Sequence, residues 1–234
     1  MRVAFITVGD TTRRTGGYLY HAEVFRRLRA FGAETTEISA SAADIAAQQA
    51  AQSALGATFD PRDFDVIVVD ALARVVCAPW LARWQAARPL VAMVHELPSV
   101  AGSADMATEA GLLHADLLLA VSQHGRAILE ERGAPTERIR VVSPGCDRLI
   151  TDDRRPTTDK QRPTLDNQPS IVHRPSSVVL CVAQWIPRKG ILDLVQAWAS
   201  RLRPGAVLEL VGEADADPDY ATTVRAAIAV APPT

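Results

Sequence analysis

Lysine is scarce in this 234-residue chain: Lys160 and Lys189 are the only two, and arginine supplies the other positive side chains. The cysteines, Cys77, Cys146 and Cys181, are odd in number and far apart. With no C-x-x-C spacing, neither a disulfide framework nor a thiolate zinc site is suggested, and a reducing cytoplasm fits best. A formal net charge of −2 without a dense basic run excludes the electrostatic footprint of a nucleic-acid binder and of a polybasic membrane tether. No apolar run approaches the length of a membrane span. The chain opens on the strand-like "RVAFITV" without a charged n-region or a cleavage site, so export is not expected. G-x-G-x-x-G and G-x-x-x-x-G-K-[ST] are both missing, which counts against an NAD enzyme and a P-loop NTPase. His95-Glu96 does not extend to H-E-x-x-H, because position 99 is Ser99, so no metal is expected.

What is present alternates. "RVAFITV", "DVIVVD", "LVAMVHE", "DLLLAV" and "IRVV" are continuously apolar and β-branched, as in a parallel sheet covered on both faces. Helical patterns lie between them, such as "YHAEVFRRLRAFG", with Val24, Phe25, Leu28 and Phe31 on one face and Gly32 as a stop. This predicts an α/β, Rossmann-like parallel sheet over residues 1–146, with ligands at the carboxyl ends of its strands. The Ala/Gln/Ser-rich stretch from Ser39 to Ala57 predicts a surface helix with loose ends. Residues 147–176 are polar and proline-punctuated and read as a linker. From 177 to 234 a strand–helix–strand–helix pattern begins an incomplete second Rossmann-like domain, short for an independent core.

The loops after strands hold the candidate chemistry. Gly16 and Gly17 immediately precede the first helix, where a glycine pair lets a phosphate approach free backbone N–H groups, or merely lets the chain turn. His95 ends a strand and is placed either to hydrogen-bond a substrate hydroxyl or to rest on a backbone carbonyl. His21 follows the glycine pair and faces the same region, whereas His114, His124 and His173 read as surface or linker positions. Ser122 lacks a G-x-S-x-G elbow and reads as a helix N-cap. Trp80 and Trp84 read as helix packing in preference to a membrane or acceptor contact.

In their order, the glycine pair, the strand-terminal histidine, "ADLLLAVSQHGRAILEERGAPTERIRVVSPGCD" and "VVLCVAQWIPRKGILDLVQAW" resemble the family 4 nucleotide-sugar glycosyltransferases of the GT-B fold. The resemblance covers nearly the whole chain outside the linker and the Ala-rich segment. It implies an acceptor-side first domain and a donor-side second domain facing across a cleft lined by Gly16, Gly17, His95 and Lys189. It implies retaining transfer of a hexose from a nucleotide-sugar to a hydroxyl acceptor, without metal or other cofactor. Lys189 would hold the donor diphosphate, with Gln184, Arg188, Gly212 and Glu213 also on the donor side. His95 would align the sugar, and His21 and Glu96 would lie on the acceptor side.

Two departures stand out. Gln184 occupies the position where the family usually has arginine, and the family's acidic E-x7-E region is not reached. The chain is therefore expected to be a fragment that binds donor weakly. The alternative is a non-catalytic, truncated homologue acting as a binding module. The expected location is cytoplasmic, with peripheral contact at the inner face of the membrane left open.

Overall fold

The computed structural model describes residues 1–13, 15–40, 44–100, 106–145, 177–200 and 205–231. The expected linker, which holds His173, lies outside them, as does Cys146 at the end of the expected first domain. The chain divides into two compact units, Met1–Arg155 and Pro156–Thr234.

The first unit is a six-stranded parallel sheet in the order β2-β1-β3-β4-β5-β6. Its strands are β1 (Arg2–Val8), β2 (Glu34–Ala40), β3 (Val66–Asp70), β4 (Leu90–Val94), β5 (Leu117–Ala120) and β6 (Ile139–Val141). The order reverses between β1 and β3, and the crevice at such a reversal is where open α/β sheets bind ligands. Helix α1 (Gly16–Ala30) crosses from β1 to β2.

Side-chain alternation sorts the sheet into two faces. Ala4, Ile6, Val8, Ile67, Val69, Leu90, Ala92 and Val94 pack with α2 (Ile45–Thr58), α3 (Arg74–Cys77), α4 (Leu81–Ala87), α5 (Met106–Leu113) and α6 (Gln123–Glu131). Val3, Phe5, Val68, Val91 and Met93 pack against Phe25, Tyr20 and Leu28 of α1. Ser122 caps α6 by accepting from the Gly125 N–H, and Trp84 is buried in the core, both as expected.

Three expectations need correction. Phe31 does not share the apolar face of α1: it is the residue that ends the helix, and it is 89% exposed. Strand β2 was not among the apolar runs, because as an edge strand it is mostly exposed and never needs one. The Ala-rich segment does form a surface helix, α2, but its ends are not loose and it begins later: Ser39 and Ala40 belong to β2, Asp44 caps the helix, and Gln48 and Leu55 anchor it in the core.

In the second unit β7 (Ser177–Val182) pairs in parallel with β8 (Ala206–Val211). Helices α7 (Ile191–Ser200) and α8 (Pro218–Val230) bury Ile191, Val195 and Val224 with Leu208 and Leu210 on one face. The other face, with Val178, Leu180, Val182, Val207 and Val211, is exposed. Among the described residues no helix is long and apolar enough to cross a membrane.

Candidate active site

Counting by twos from the core places the site. Thr7 follows Phe5, Asp70 follows Val68 and His95 follows Met93, so all three lie on the α1 face at the carboxyl ends of β1, β3 and β4. Helix α1 brings His21 over them, held by Phe5, whose ring centroid is 4.6 Å from the imidazole. His21 precedes the buried Phe25 by one helical turn.

The polar groups interlock. Thr7 Oγ1 donates to Asp70 Oδ2 at 2.7 Å across the β1–β3 reversal, and Leu72 N–H donates to Asp70 Oδ1 at 3.0 Å. His21 Nε2 lies 3.9 Å from Asp70 Oδ2 and 2.8 Å from His95 Nε2. Tyr20 stands edge-on to His95 at 5.1 Å and donates its hydroxyl proton to the Val142 carbonyl. Burial, and secondarily His95, pushes the His21 pKa down to about 3; burial also lowers that of His95. Both imidazoles are therefore neutral near pH 7. Burial raises the Asp70 carboxyl to about 6, against the opposing pull of its two hydrogen bonds.

The loop leading into α1 is held separately. Gly9 has φ of 87°, and its close approach to the Tyr18 hydroxyl leaves no room for a Cβ; that hydroxyl donates to the Val8 carbonyl. Thr15 caps α1. Gly16 and Gly17 do not precede α1 but are its first two residues, and a Cβ on either would meet nothing within 4 Å, so packing does not demand glycine at either position. Beyond β4, Glu109 is buried and accepts from the Ser99 N–H at 2.6 Å, which ties the His95 loop to α5.

In the second unit Lys189 ends a short 3-10 turn, Pro187–Lys189, which Gly190 closes at φ of 64°. Lys189 and Arg188 are exposed. Gln184 Nε2 donates to Glu213 Oε2 at 2.7 Å, and the Trp185 N–H donates to the Glu213 carbonyl at 2.9 Å. Gly212 has φ of 150°, and a side chain there would overlap the Ala183 carbonyl.

Residues 8–148 match the model of Glycosyltransferase Family 4. The chain belongs to glycosyltransferase family 4. Anabaena Alr3699/HepE in complex with UDP and glucose is 17% identical with a TM-score of 0.61, covering 98% of this chain and 66% of that one. The chain thus spans just under two thirds of that relative's length. A UDP-GlcNAc 2-epimerase from Neisseria meningitidis bound to UDP-GlcNAc is 10% identical with a TM-score of 0.57, covering 99% of this chain and 71% of that one. The S. aureus MnaA–UDP co-structure is 8% identical with a TM-score of 0.61, covering 98% and 66%. At these identities the likeness is one of fold. No curated protein matches the chain.

The family reading singled out two groups of residues that the structure assembles: His21 with His95, and Gln184 with Glu213 on the unit that carries Lys189. Their places differ from a simple lining. His21 is buried with its Nε2 against His95, whereas Glu96 is exposed. Gly212 has a backbone reason of its own to be glycine. Sequence reasoning passed over Thr7, Asp70, Tyr20 and Glu109 as site residues. The period-two count from Phe5, Val68 and Met93 would have found Thr7 and Asp70. No local pattern marks Glu109. Among the described residues no cluster of His, Cys, Asp and Glu could hold a metal ion.

Proposed function

We propose that the protein is a glycosyltransferase moving a sugar from a nucleotide-sugar donor to a hydroxyl acceptor, with retention of anomeric configuration and without a metal. The observation that carries the reading is the family match over the unit in which His95 closes the carboxyl end of β4 above α1. Gly16 and Gly17, open where a Cβ would stand, leave the α1 backbone free to approach phosphate oxygens. Neutral His95 hydrogen-bonds the sugar and holds it in line. Lys189, a compact cation at the end of its turn, stabilises the departing diphosphate. The bond from the anomeric carbon to phosphate oxygen breaks as the acceptor oxygen adds on the same face. The acceptor proton passes to the departing phosphate oxygen. Asp70 takes no proton in this scheme, because it is buried and both its oxygens already accept hydrogen bonds.

A second reading, a binding module without turnover, draws on Gln184, whose amide donates to Glu213 in place of the family's arginine. Incubation with UDP- and GDP-sugars, followed by separation of products, tests both. Release of nucleoside diphosphate that falls in Lys189→Ala supports the transferase. Saturable binding with no release supports the binding module, and conversion of UDP-GlcNAc to its epimer would replace both readings.

A further inference from the structure

The His21–His95 contact fixes more than a distance. At 2.8 Å between the two Nε2 atoms, two lone pairs repel and two N–H groups collide, so one Nε2 carries a proton and the other accepts it. If His95 donated, neutral His21 would carry its own proton on Nδ1, which is buried without a hydrogen-bond partner. An orphaned buried N–H is the costlier and rarer kind of unsatisfied group. If His21 donates, only a lone pair is left at that nitrogen. The second arrangement also puts an N–H, and not a lone pair, on the nitrogen that lies 3.9 Å from Asp70 Oδ2. Asp70 accepts from Thr7 and from the Leu72 N–H, the pattern of a carboxylate and not of a proton donor.

We infer that His21 is a positioning residue that locks His95 in the tautomer bearing its proton on Nδ1, so that His95 meets a ligand as a hydrogen-bond donor to an oxygen and not as a general base. The nitrogen left for the ligand is the one turned away from His21, on the half-buried member of the pair. A sugar hydroxyl or a phosphate oxygen fits it; a proton to be abstracted does not. That His95 touches the ligand rests on the proposed function, but the tautomer is a property of the free chain, so the two can fail separately.

Two-bond 1H–15N correlation spectra of the imidazoles of the full, ligand-free chain at pH 7.5 read the tautomer directly, with His95 assigned by its loss in His95→Ala. The expected spectrum has His95 protonated on Nδ1. His21→Gln, whose amide N–H replaces the donor, keeps that state, and His21→Leu loses it. A proton on Nε2 of His95 in the wild type, or an unchanged Nδ1 proton in a folded His21→Leu, would overturn the inference. Should His21→Leu not fold, the wild-type spectrum decides alone.

Discussion

His21 Nε2 stands 3.9 Å from Asp70 Oδ2, and burial moves the two groups in opposite directions, to about 3 and about 6. For His21 the folded value lies below the ordinary 6.5, so the unfolded chain takes the proton first and stability is lost as pH falls from 6.5 toward 3. For Asp70 the folded value lies above 3.8, so the folded chain takes the proton first and stability rises as pH falls from about 6 toward 3.8. Each contributes a slope of at most about 1.4 kcal/mol per pH unit in its window. The destabilisation by His21→Leu, from urea melts, should therefore shrink between about pH 7.5 and 4.5, while that of Asp70→Asn should grow. Effects independent of pH would contradict the buried neutral imidazole.

Glycine has different reasons at different positions. Gly17→Ala should keep the fold and stabilise α1 by about 0.5–1 kcal/mol, because a Cβ finds open space there, yet it should weaken nucleotide binding. Gly212→Ala should destabilise the second unit by roughly 1–3 kcal/mol, as φ of 150° and the Ala183 carbonyl oppose a side chain. Thermal melts of the two variants beside a UDP titration separate these outcomes. Loss of stability in Gly17→Ala would remove its case as a ligand-approach residue.

Gln184 already donates to Glu213, so an arginine in its place would find a carboxylate partner and bring a guanidinium to the turn that carries Lys189. Gln184→Arg should tighten binding of a nucleoside diphosphate by about tenfold, a charge-assisted contact being stronger than a neutral one. Unchanged affinity in calorimetry would mean that this position does not see the phosphates.

The exposed face of β7 and the core between the β7–β8 pair and its helices should respond unequally to substitution. Leu180 is 58% exposed and Ile191 1%, so Leu180→Gln should change stability by less than about 0.5 kcal/mol, whereas Ile191→Ala should cost about 2–5 kcal/mol. Hydrogen exchange across the second unit provides the comparison.

The architecture was legible because buried parallel strands are continuously apolar: five of the six strands of the first sheet announce themselves in runs such as "DVIVVD". Edge strand β2 was not legible, as its exposed positions carry Glu34 and Glu37 and no run survives. His95 was legible as a strand-terminal imidazole. Its dependence on His21, and the Thr7–Asp70 bond beneath, were not, because they join residues more than 60 positions apart through the pleat of the sheet. Likewise, nothing local distinguishes Gly212, kept as glycine by a backbone clash, from Gly16 and Gly17, where no clash exists.

Calorimetric titration of the 234-residue chain with UDP- and GDP-sugars, beside Lys189→Ala and His95→Ala, tests the nucleotide-sugar site most directly. Lys189 is exposed and ends its turn, so its removal should leave the melting temperature unchanged. Weak, saturable binding of at least one donor, roughly millimolar, is expected, and it should weaken about tenfold or more in Lys189→Ala. Binding equally tight in Lys189→Ala, or none at roughly 10 mM of any donor, where even millimolar affinity would register, would contradict it.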